Sequence, residues 1–588
     1  MSQSISVDAA PSSGEGAAAR PPGGREFTLR AVIAGMLVAA IMGASYPYIV
    51  LKLGFGPNVS VVAAFFGYLM LGLFFRGFNR WENNIVQTAG TSAAQTSFMC
   101  VVLAAFDLLA QRPGLNFTFA PTPLESFIWL TAASILGLLL AVPMRHHYVI
   151  DQKLPYADGI AAAETLIVLD ERGPQARKVA LALFGGAVAS GLVMLLTLPY
   201  GGERLPEEVL RSFFGLAVAG AGAGFAVSLL GIGSGMIVGN RINLSMAVGA
   251  ILSWIVAPKF LVPLHLIAGA TRRDILLWVM WPGTGLLIAG GLTALALQWP
   301  TLRRSFSTLS RESVHADEFP MRWVGVGVFL STVVLVVVQR VVFGLPVWLT
   351  LVAVALSVPL MLVGLRVLGE TNWGPISQLT NLMQTIFAGL APGNLIANLG
   401  ASGTMGTIAT QSEAIMQDYK TGALIGSRPR YLTYAQLLAA PVGAAAVAWM
   451  YPLLKSTYGI GGDGLSSPIS ARIAGFAEVL SSGIAALPQY AIHFFALFAL
   501  LGILLTLGEK RFGRFLPSPT GLGIGMMVPG TVVFTMVLGS LLMSLWQRLD
   551  RRTAEKYAIP LASGLIAGEA IVAVVIPLLI ALHVLNPA

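Results

Sequence analysis

The sequence predicts an all-α polytopic membrane protein. Of its 588 residues, 56% are hydrophobic and 11% are charged, whereas roughly a quarter of the residues in a soluble globular protein are charged. Apolar runs of about 20 residues, the length that crosses about 30 Å of hydrocarbon as a helix, recur from residue 28 to residue 585. No stretch long enough for a soluble domain remains between them.

The basic residues lie in short loops between the apolar runs. A net charge of +9 would suit a nucleic-acid-binding protein if these residues formed one patch, but they are scattered along the chain. Lys and Arg in short loops stay on the cytoplasmic side of a membrane. Because Arg20, Arg25 and Arg30 precede the first run, we expect a cytoplasmic N-terminus in the inner (plasma) membrane. The lipid bilayer is the expected partner, and no nucleic acid is expected.

The first 26 residues and the single cysteine exclude several other features. Residues 1–26 are rich in Ser, Ala, Gly and Pro and lack the apolar core of a cleavable signal peptide. Their composition is typical of a disordered cytoplasmic tail. Cys100 lies inside an apolar run, so it forms no intrachain disulfide and matches no metal-ligand spacing. We therefore expect no metal site and no cofactor.

Stretches of spanning length fill the chain on both sides of one long basic connection. This connection divides the membrane part into a first half, 27–300, a cytoplasmic connection, 301–322, and a second half, 323–588. Spans are expected in the first half at residues 28–51, 57–75, 84–109, 125–148, 177–200, 212–238, 242–262 and 275–299. Spans are expected in the second half at residues 323–343, 347–366, 431–452, 484–507 and 558–585.

Three segments differ from ordinary spans. Residues 154–170 are short and polar, 370–420 contain many Asn, Gln, Gly and Thr, and 517–546 are interrupted by Pro529-Gly530. A single crossing in the last segment would put the next basic loop on the wrong side, which a re-entrant pair of half-helices avoids. Irregular backbone at membrane depth occurs where protein or a water-filled cavity surrounds it, so these segments are expected to line a pathway. The alternative is tightly packed interior helices.

Short sequence matches between the halves indicate an internal repeat. NIVQT at residues 84–88 has a counterpart in NLMQT at 381–385, and LIAGG at 287–291 has one in LIAGE at 565–569. The matches follow one another in chain order, although their offsets differ. They favour a duplicated architecture, in which a substrate site lies near the bilayer midplane between the two halves.

Several motifs resemble those of a known transporter family. LPYADGIAAAETL at residues 154–166 resembles the pattern L-P-[FY]-P-[ES]-G-x-A-x-A-E of the oligopeptide transporter (OPT) family, with Ala157 where that family often has Pro. MQDYKTGALIGSRPR at 416–430 resembles its M-Q-D-x-K-T-G-x-x-x-G-x-x-P. Three further stretches resemble family motifs and occur in the same order along the chain as in the family. They are NIVQTAG at 84–90, PSPTGLGIGMMVPG at 517–530 and SGLIAGEA at 563–570. The resemblance covers the chain from about residue 28 onward.

This resemblance implies a proton-driven secondary active transporter with about 14 to 16 membrane helices. Members of the family import small peptides or metal chelates such as metal–nicotianamine complexes. The family has an oligopeptide branch and a yellow stripe-like metal-chelate branch, and the short loops here look most like its compact bacterial members. A sodium-coupled or facilitative carrier of another small organic solute stays open. So does a homodimer, which no sequence feature requires or excludes.

Three glutamates are candidates for proton coupling. A carboxylate inside a membrane helix costs a few kcal/mol to insert, and burial makes it bind a proton more readily. Glu164 and Glu413 each lie shortly before a polar loop, and Glu569 lies deeper in an apolar run. The alternative for each is a structural hydrogen-bonding group or a position near the interface.

Neutral amides are candidates for substrate binding, because they offer donors and acceptors to peptide amides or chelate carboxylates. Many could equally join helices, each hydrogen bond contributing about 0.6 kcal/mol in a membrane. The candidates are Asn84, Gln87, Asn381, Gln384, Asn394, Asn398 and Gln411.

Other polar residues are interpreted as structural. Tyr46 and Tyr48, at the end of the first span, are expected to anchor that span at the membrane interface. Asp418 and Lys420 are expected in a cytoplasmic loop, as a gate or a structural ion pair. His146 and His147 are adjacent on a helix, so they point in different directions and make a poor metal pair.

The competing classes are an enzyme and a channel. The chain has no HExxH, Walker A or Asp-rich prenyl-diphosphate motif, and no GxSxG in a suitable context. We therefore expect no enzymatic activity. A channel would need one continuous pore, whereas the scattered Gly-rich breaks favour alternating access.

Overall fold

The computed structural model of the chain is helical almost throughout. It describes residues 25–53, 59–75, 77–111, 117–170, 174–197, 205–206, 208–209, 224–267, 269, 272–297, 317–372, 374–460, 467–481, 488–513, 516–581 and 584–585. The predicted tail, up to residue 24, and most of the predicted connection 301–322 lie outside these residues.

The first half contains eleven described helices and one short strand pair. The helices are α1 (Leu29–Leu53), α2 (Ser60–Phe74), α3 (Arg80–Ser97), α4 (Cys100–Ala110), α5 (Pro123–Ala141), α6 (Ala157–Asp170), α7 (Pro174–Thr197), α8 (Leu229–Val238), α9 (Asn240–Ala250), α10 (Ala257–Leu261) and α11 (Arg272–Leu297). Two π-helical turns, His146–Asp151 and Ile251–Val256, precede α6 and α10. Strands β1 (Glu208–Val209) and β2 (Phe225–Ala226) pair antiparallel.

The second half contains ten helices within the described residues. They are α12 (Met321–Val341), α13 (Val347–Thr371), α14 (Ile376–Leu390), α15 (Leu395–Ile425), α16 (Pro429–Tyr458), α17 (Pro468–Ser481), α18 (Ala491–Phe512), α19 (Pro519–Met527), α20 (Gly530–Leu549) and α21 (Arg551–Ala581).

The helices confirm the predicted all-α polytopic membrane fold. Nine segments of the described chain form helices that are long and apolar enough to cross a membrane. The outer faces of α12 and α18 are lined by exposed large apolar side chains, as expected for surfaces that face lipid. The more polar α3, by contrast, is buried over nearly its whole length.

Helix starts follow from local capping residues. The Thr122 side chain accepts from Glu125 N at 3.4 Å, and the Glu125 carboxylate accepts from Thr122 N at 2.7 Å, a capping box at α5. Asn79 caps α3 through the backbone N–H of Glu82 at 2.9 Å. These contacts satisfy N–H groups that an apolar membrane would otherwise leave without a partner.

Two membrane segments each consist of two consecutive helices separated by a short break inside the protein. α8 and α9 are separated by Gly239 with φ of 90°, a conformation that favours glycine. α19 and α20 are separated by extended Val528 and by Pro529. The predicted interruption at Pro529-Gly530 is therefore confirmed.

Both breaks carry one motif that the sequence analysis missed. Residues 228–238 read SLLGIGSGMIV and residues 518–528 read SPTGLGIGMMV, so Ser, three Gly, Met and Val recur at the same positions. The first Ser caps its helix in both copies. Ser228 Oγ accepts from Gly231 N at 3.1 Å in α8, and Ser518 Oγ accepts from Gly521 N at 3.2 Å in α19. The repeat is thus structural as well as sequential.

Glycines of the motif let the two broken pairs cross in backbone contact. A Cβ atom added to Gly235 would overlap the carbonyl oxygen of Met536, and one added to Gly525 would overlap that of Met246. Met246 and Met536 each follow the first serine of their copy by the same number of residues. The packing of α8 on α20 is therefore reproduced by the packing of α19 on α9.

The outer ends of α19 and α20 lie on the same side of the protein. Asn240 Nδ2 donates to Ser544 Oγ near the end of α20 at 2.5 Å. Arg241 pairs with Glu509, shortly before α19, at 2.7 Å. Both ends of the pair therefore lie beside the tip of α8 and α9, and its own tip lies about 20 Å deeper, given 1.5 Å per helical residue. This is the re-entrant geometry predicted for 517–546.

Trp254 hydrogen-bonds to the backbone at the α19–α20 break. Its Nε1 donates at 2.8 Å to the carbonyl oxygen of Val528, which the break leaves without a helical partner. We expect Trp254→Phe to lower the free energy of unfolding by about 1 kcal/mol, since a buried acceptor then loses its donor. Thermal unfolding in detergent tests this, with Trp449→Phe on an exposed surface as the control. Equal melting temperatures for both variants would contradict the role.

Helix pairs that pack across the two halves occur in matching sets. The first three sets are α1 on α16 with α12 on α5, α7 on α21 with α18 on α11, and α8 on α20 with α19 on α9. Each set contains two contacts. Replacing both helices of one contact by their counterparts in the other half gives the second contact. The halves are therefore interleaved and do not pack as separate bodies.

Candidate functional site

Helix α15 runs through the interior of the protein. All but three of its 31 residues are buried, and it packs against α3, α5, α6, α13 and α14. The polar composition of 370–420 predicts a broken segment. A break occurs at residues 391–394, between α14 and α15, whereas α15 itself is one continuous helix. It carries Gln411, Glu413, Gln417 and Asp418 into the core. Because burying polar groups is costly in a membrane protein, such a row marks a functional site.

Asp418 is held by a chain of glutamines. Its carboxylate is fully buried, with Oδ1 accepting from Gln87 Nε2 at 2.6 Å and Oδ2 accepting from Gln436 Nε2 at 2.5 Å. Gln436 Oε1 accepts from Gln411 Nε2 at 2.9 Å. These four side chains, here called the Asp418 cluster, join α3 of the first half to α15 and α16 of the second.

The predicted residues Gln87, Gln411 and Asn84 therefore lie close to one another. Gln411 Nε2 also donates to Ser92 Oγ at 2.7 Å, which ties it back to α3. Asn84 Nδ2 donates to Ser427 Oγ at 2.8 Å, one turn of α3 before Gln87. In the described part of the chain, Asn84 Oδ1 and Gln87 Oε1 are buried and accept no hydrogen bond.

A second group contains Asn381, Gln384 and Asn398, where α14 packs on α15. Asn398 Nδ2 donates to the Gln384 carbonyl at 2.7 Å, and Gln384 Nε2 donates to the Ile473 carbonyl at 3.1 Å. The side-chain oxygens of all three amides are buried without a partner among the described residues. Asn381 also lines a cavity of about 70 Å³ with aromatic side chains of α11, α17 and α18.

Glu413 lies near the middle of α15, two residues beyond Gln411 and five before Asp418. Its side chain is 6% exposed, and Oε1 has no hydrogen-bond partner within the described structure. Gly374 packs directly on its carboxylate, and a Cβ added to Gly364 would lie 3.3 Å from Oε1. The two glycines make the space that this carboxylate occupies.

The other three candidates lie apart from α15's buried row. Glu569 on α21 accepts from Ser228 Oγ at 2.9 Å and from Leu230 N at 3.0 Å, so it caps the N-terminus of α8. Asn394 is exposed and caps α15 through Ala397 N at 2.9 Å. Glu164 is partly buried on α6.

Glu569→Gln is expected to lower stability without changing the pH dependence of transport. The amide loses one acceptor and the negative charge at the start of α8, so we expect a loss of about 1 kcal/mol. Thermal unfolding and the pH profile of uptake measure the two parts. Glu555→Gln on the exposed part of α21 is the matched control. A changed pH profile with an unchanged melting temperature would instead make Glu569 a coupling residue.

Two interpretations from the sequence are wrong. Asp418 and Lys420 are not in a loop, because α15 continues to Ile425. Tyr46 is 1% exposed in the core and does not anchor the first span at the interface. Asp418 and Gln436 were therefore missed, although Asp418 lies within the M-Q-D motif that carried the family resemblance.

Comparison with known proteins identifies the family. The family model for the OPT oligopeptide transporter protein matches residues 26–580. The chain belongs to the OPT oligopeptide transporter family. This OPT protein is accordingly a multi-pass membrane transporter and not an enzyme, as predicted.

Similar proteins include plant transporters of metal chelates. The OPT protein is 25% identical to metal-nicotianamine transporter YSL2 of Arabidopsis thaliana, over 93% of this chain and 92% of the relative. It is 25% identical to probable metal-nicotianamine transporter YSL10 of Oryza sativa subsp. japonica, over 94% and 90%. It is 24% identical to iron-phytosiderophore transporter yellow stripe 1 of Zea mays, over 93% and 89%. The predicted relation to the yellow stripe-like branch is thus confirmed.

No protein-borne metal centre occurs in the described part of this OPT protein. There, no three His, Cys, Asp or Glu side chains come together in a way that could hold a metal ion. The metal in the names of the plant relatives is cargo, carried by its chelator.

Proposed function

We propose that the protein is a secondary active transporter that imports metal chelates or small peptides with protons, by alternating access. The observation that carries this proposal is the buried polar row of α15, in which one carboxylate oxygen of Glu413 has no hydrogen-bond partner among the described residues. A carboxylate in such a place is costly to bury and binds a proton readily. It therefore suits a carrier that binds a proton on one side and releases it on the other.

The substrate class is argued from two features. Relatives that match over nine-tenths of the chain are named for metal–nicotianamine and iron–phytosiderophore complexes. Nicotianamine-type chelators carry carboxylates and amines, which amide donors and acceptors recognise. The amides proposed to bind substrate are Asn84, Gln87, Asn381, Gln384, Asn394, Asn398 and Gln411.

Alternating access is supported by the two broken helix pairs. α8–α9 and α19–α20 have opposite directions, equivalent contacts and tips near opposite ends of each other. In inverted repeats of this kind, the two halves can exchange conformations, so that the site opens first to one side of the membrane and then to the other. We further propose a duplicated chain, 27–300 and 323–588, in the inner membrane with a cytoplasmic N-terminus.

Uptake into proteoliposomes tests the proposal. We expect iron–nicotianamine to accumulate when an inward proton gradient is imposed, and Glu413→Gln to reduce this accumulation by at least about tenfold, equivalent to about 1.4 kcal/mol. A pool of dipeptides and tripeptides is measured in parallel. Glu555→Gln is the control for loss of an exposed carboxylate.

Each other outcome has a defined meaning. Accumulation that follows a sodium gradient would replace the proton with sodium. Equilibration without accumulation would make the protein a facilitative carrier. Movement of peptides alone would assign the protein to the peptide branch, and failure of every tested solute to move would overturn both substrate classes.

A further inference from the structure

Asp418 is a buried carboxylate whose hydrogen-bond partners are all neutral. Its side chain is fully buried, and the two donors to it are the amides of Gln87 and Gln436. Within the described residues, no Lys, Arg or His forms an ion pair with it. An uncompensated charge in the interior costs several kcal/mol, and binding a proton removes that charge.

The charged groups of the surrounding elements do not reach Asp418. The elements packed against this part of α15 are α3, α6 and α16, which hydrogen-bond to Asp418 or its neighbour Gln417, the end of α13, whose Asn372 accepts from Gln417, and the π-helical turn before α6. Several of their charges are engaged elsewhere: Glu82 with Arg30 at 2.5 Å, Arg428 with Asp317 at 2.9 Å, and Arg145 with Glu318. On α13, Arg366 and Glu370 pair with each other at 2.9 Å. The remaining titratable groups with described side chains on these elements and on α15 are Arg80, His146, His147, Tyr148, Asp151, Asp158, Glu164, Asp170, Glu413, Tyr419, Lys420, Arg430, Tyr431, Tyr434, Tyr451 and Lys455. None of them forms a hydrogen bond or ion pair with Asp418.

The amides of Gln87 and Gln436 differ in the hydrogen bonding of their oxygen atoms, Oε1. Gln436 Oε1 already accepts from Gln411 at 2.9 Å, so turning this amide would break that bond. Gln87 Oε1 is buried and accepts nothing in the described structure. Rotation of the Gln87 amide group therefore loses no accepted hydrogen bond, although it gives up the donation of Nε2 to Thr91 Oγ1 at 3.0 Å. It presents Oε1 to Asp418 and to the Thr91 hydroxyl, which can donate to it. A carboxylate needs the donor Nε2, whereas a carboxylic acid needs the acceptor Oε1.

We propose that Asp418 is a second proton-binding site of this transporter and that Gln87 changes its hydrogen bond with the protonation of Asp418. One proton from water binds one carboxylate oxygen, and no other covalent bond is made or broken; the hydrogen bonds of the Gln87 amide are exchanged. Because Gln87 belongs to the first half while Asp418 and Gln436 belong to the second, the proton changes a contact between the halves. For its transport consequence, this inference rests on the proposed function.

The position along α15 suits proton entry from the end of this helix. Seven residues separate Asp418 from the end at Ile425, about 10 Å at 1.5 Å per residue. Glu413 lies about 7 Å deeper on the same helix. Asp418 therefore lies between the loop that precedes Pro429 and the carboxylate assigned to coupling.

Infrared difference spectroscopy tests protonation without any substrate. The protein in liposomes is moved from alkaline to acidic buffer, and the C=O stretching band of newly formed carboxylic acid is recorded. We expect Asp418→Asn to remove a component of this band, Gln87→Leu to shift the same component, and Glu413→Gln to leave it in place. The exposed control Asp550→Asn should also leave it in place. An unchanged band in Asp418→Asn would overturn the proposal, whatever the transport assay shows.

Transport measurements test the consequence. Asp418→Asn should retain exchange of iron–nicotianamine across the membrane while its gradient-driven accumulation falls by about tenfold. Asp418→Glu, which keeps the carboxylate, should restore part of the accumulation and shift its pH profile, which a purely structural role would not do. Accumulation by Asp418→Asn at the parent's level and pH profile would overturn the proposal. If the parent transports neither iron–nicotianamine nor the tested peptides, the proposed function fails while the infrared result still decides this site.

Discussion

Replacing Gly525 or Gly235 with alanine is expected to destabilise the protein severely. At each position the added Cβ would overlap a backbone carbonyl oxygen of the opposite helix pair, Met246 O or Met536 O. Backbone atoms in a crossing cannot move aside as the end of a flexible side chain can, so the helices must separate. We expect each substitution to lower the free energy of unfolding by about 3 kcal/mol, the upper end of the usual cost of overpacking.

Thermal unfolding and the yield of monodisperse protein in detergent measure this effect. Gly185→Ala is the matched control, since Gly185 is also helical and an added Cβ there meets nothing within 4 Å. Because the two contacts are equivalent in the repeat, Gly235→Ala and Gly525→Ala should have similar effects. A variant that melts at the parent's temperature would show that the crossing is looser than described.

Gly374→Ala is expected to abolish most transport while the protein remains folded. The added Cβ would overlap Oε2 of Glu413, the end of a flexible side chain, so the carboxylate moves and the backbone does not. The charge is retained but displaced from the space beside Gly364 and Gly374. Since positioning by about 1 Å decides such chemistry, we expect proton-driven uptake to fall by at least about tenfold.

Uptake and thermal unfolding must be measured together for this variant. Gly325→Ala, where a Cβ meets nothing within 4 Å, is the control for adding a methyl group elsewhere. Full uptake by Gly374→Ala would show that the position of Glu413 is unimportant and would remove it from the mechanism. A large fall in melting temperature would indicate a structural effect instead.

The re-entrant pair was predictable because its evidence is local. Pro529 has no backbone N–H and fixes its own φ, so a helix is interrupted there in any surroundings. The basic residues after Leu549 then require both ends on one side. The motif shared by 228–238 and 518–528 is equally local, since its Ser, Gly, Met and Val recur at the same positions in both stretches.

The roles of the acidic residues were less predictable. Glu569 is surrounded in sequence by apolar residues, yet Ser228 and Leu230, far away in the chain, make it a helix cap. Asp418 stands in a polar, basic stretch, yet Gln87 and Gln436 enclose it. Polar neighbours in sequence do not determine burial, because the helices that cover α15 come from both halves of the chain.

The sequence by itself determined the solvent and the fold class of this protein. Apolar runs of spanning length leave no alternative to helices in a bilayer, since every backbone polar group must be satisfied within its own segment. The tertiary structure alone decided which polar side chains meet. Gln87 and Asp418 lie far apart in sequence and touch only because α3 and α15 pack across the two halves. Such pairing depends on the close packing of small residues between helices, which hydropathy does not report.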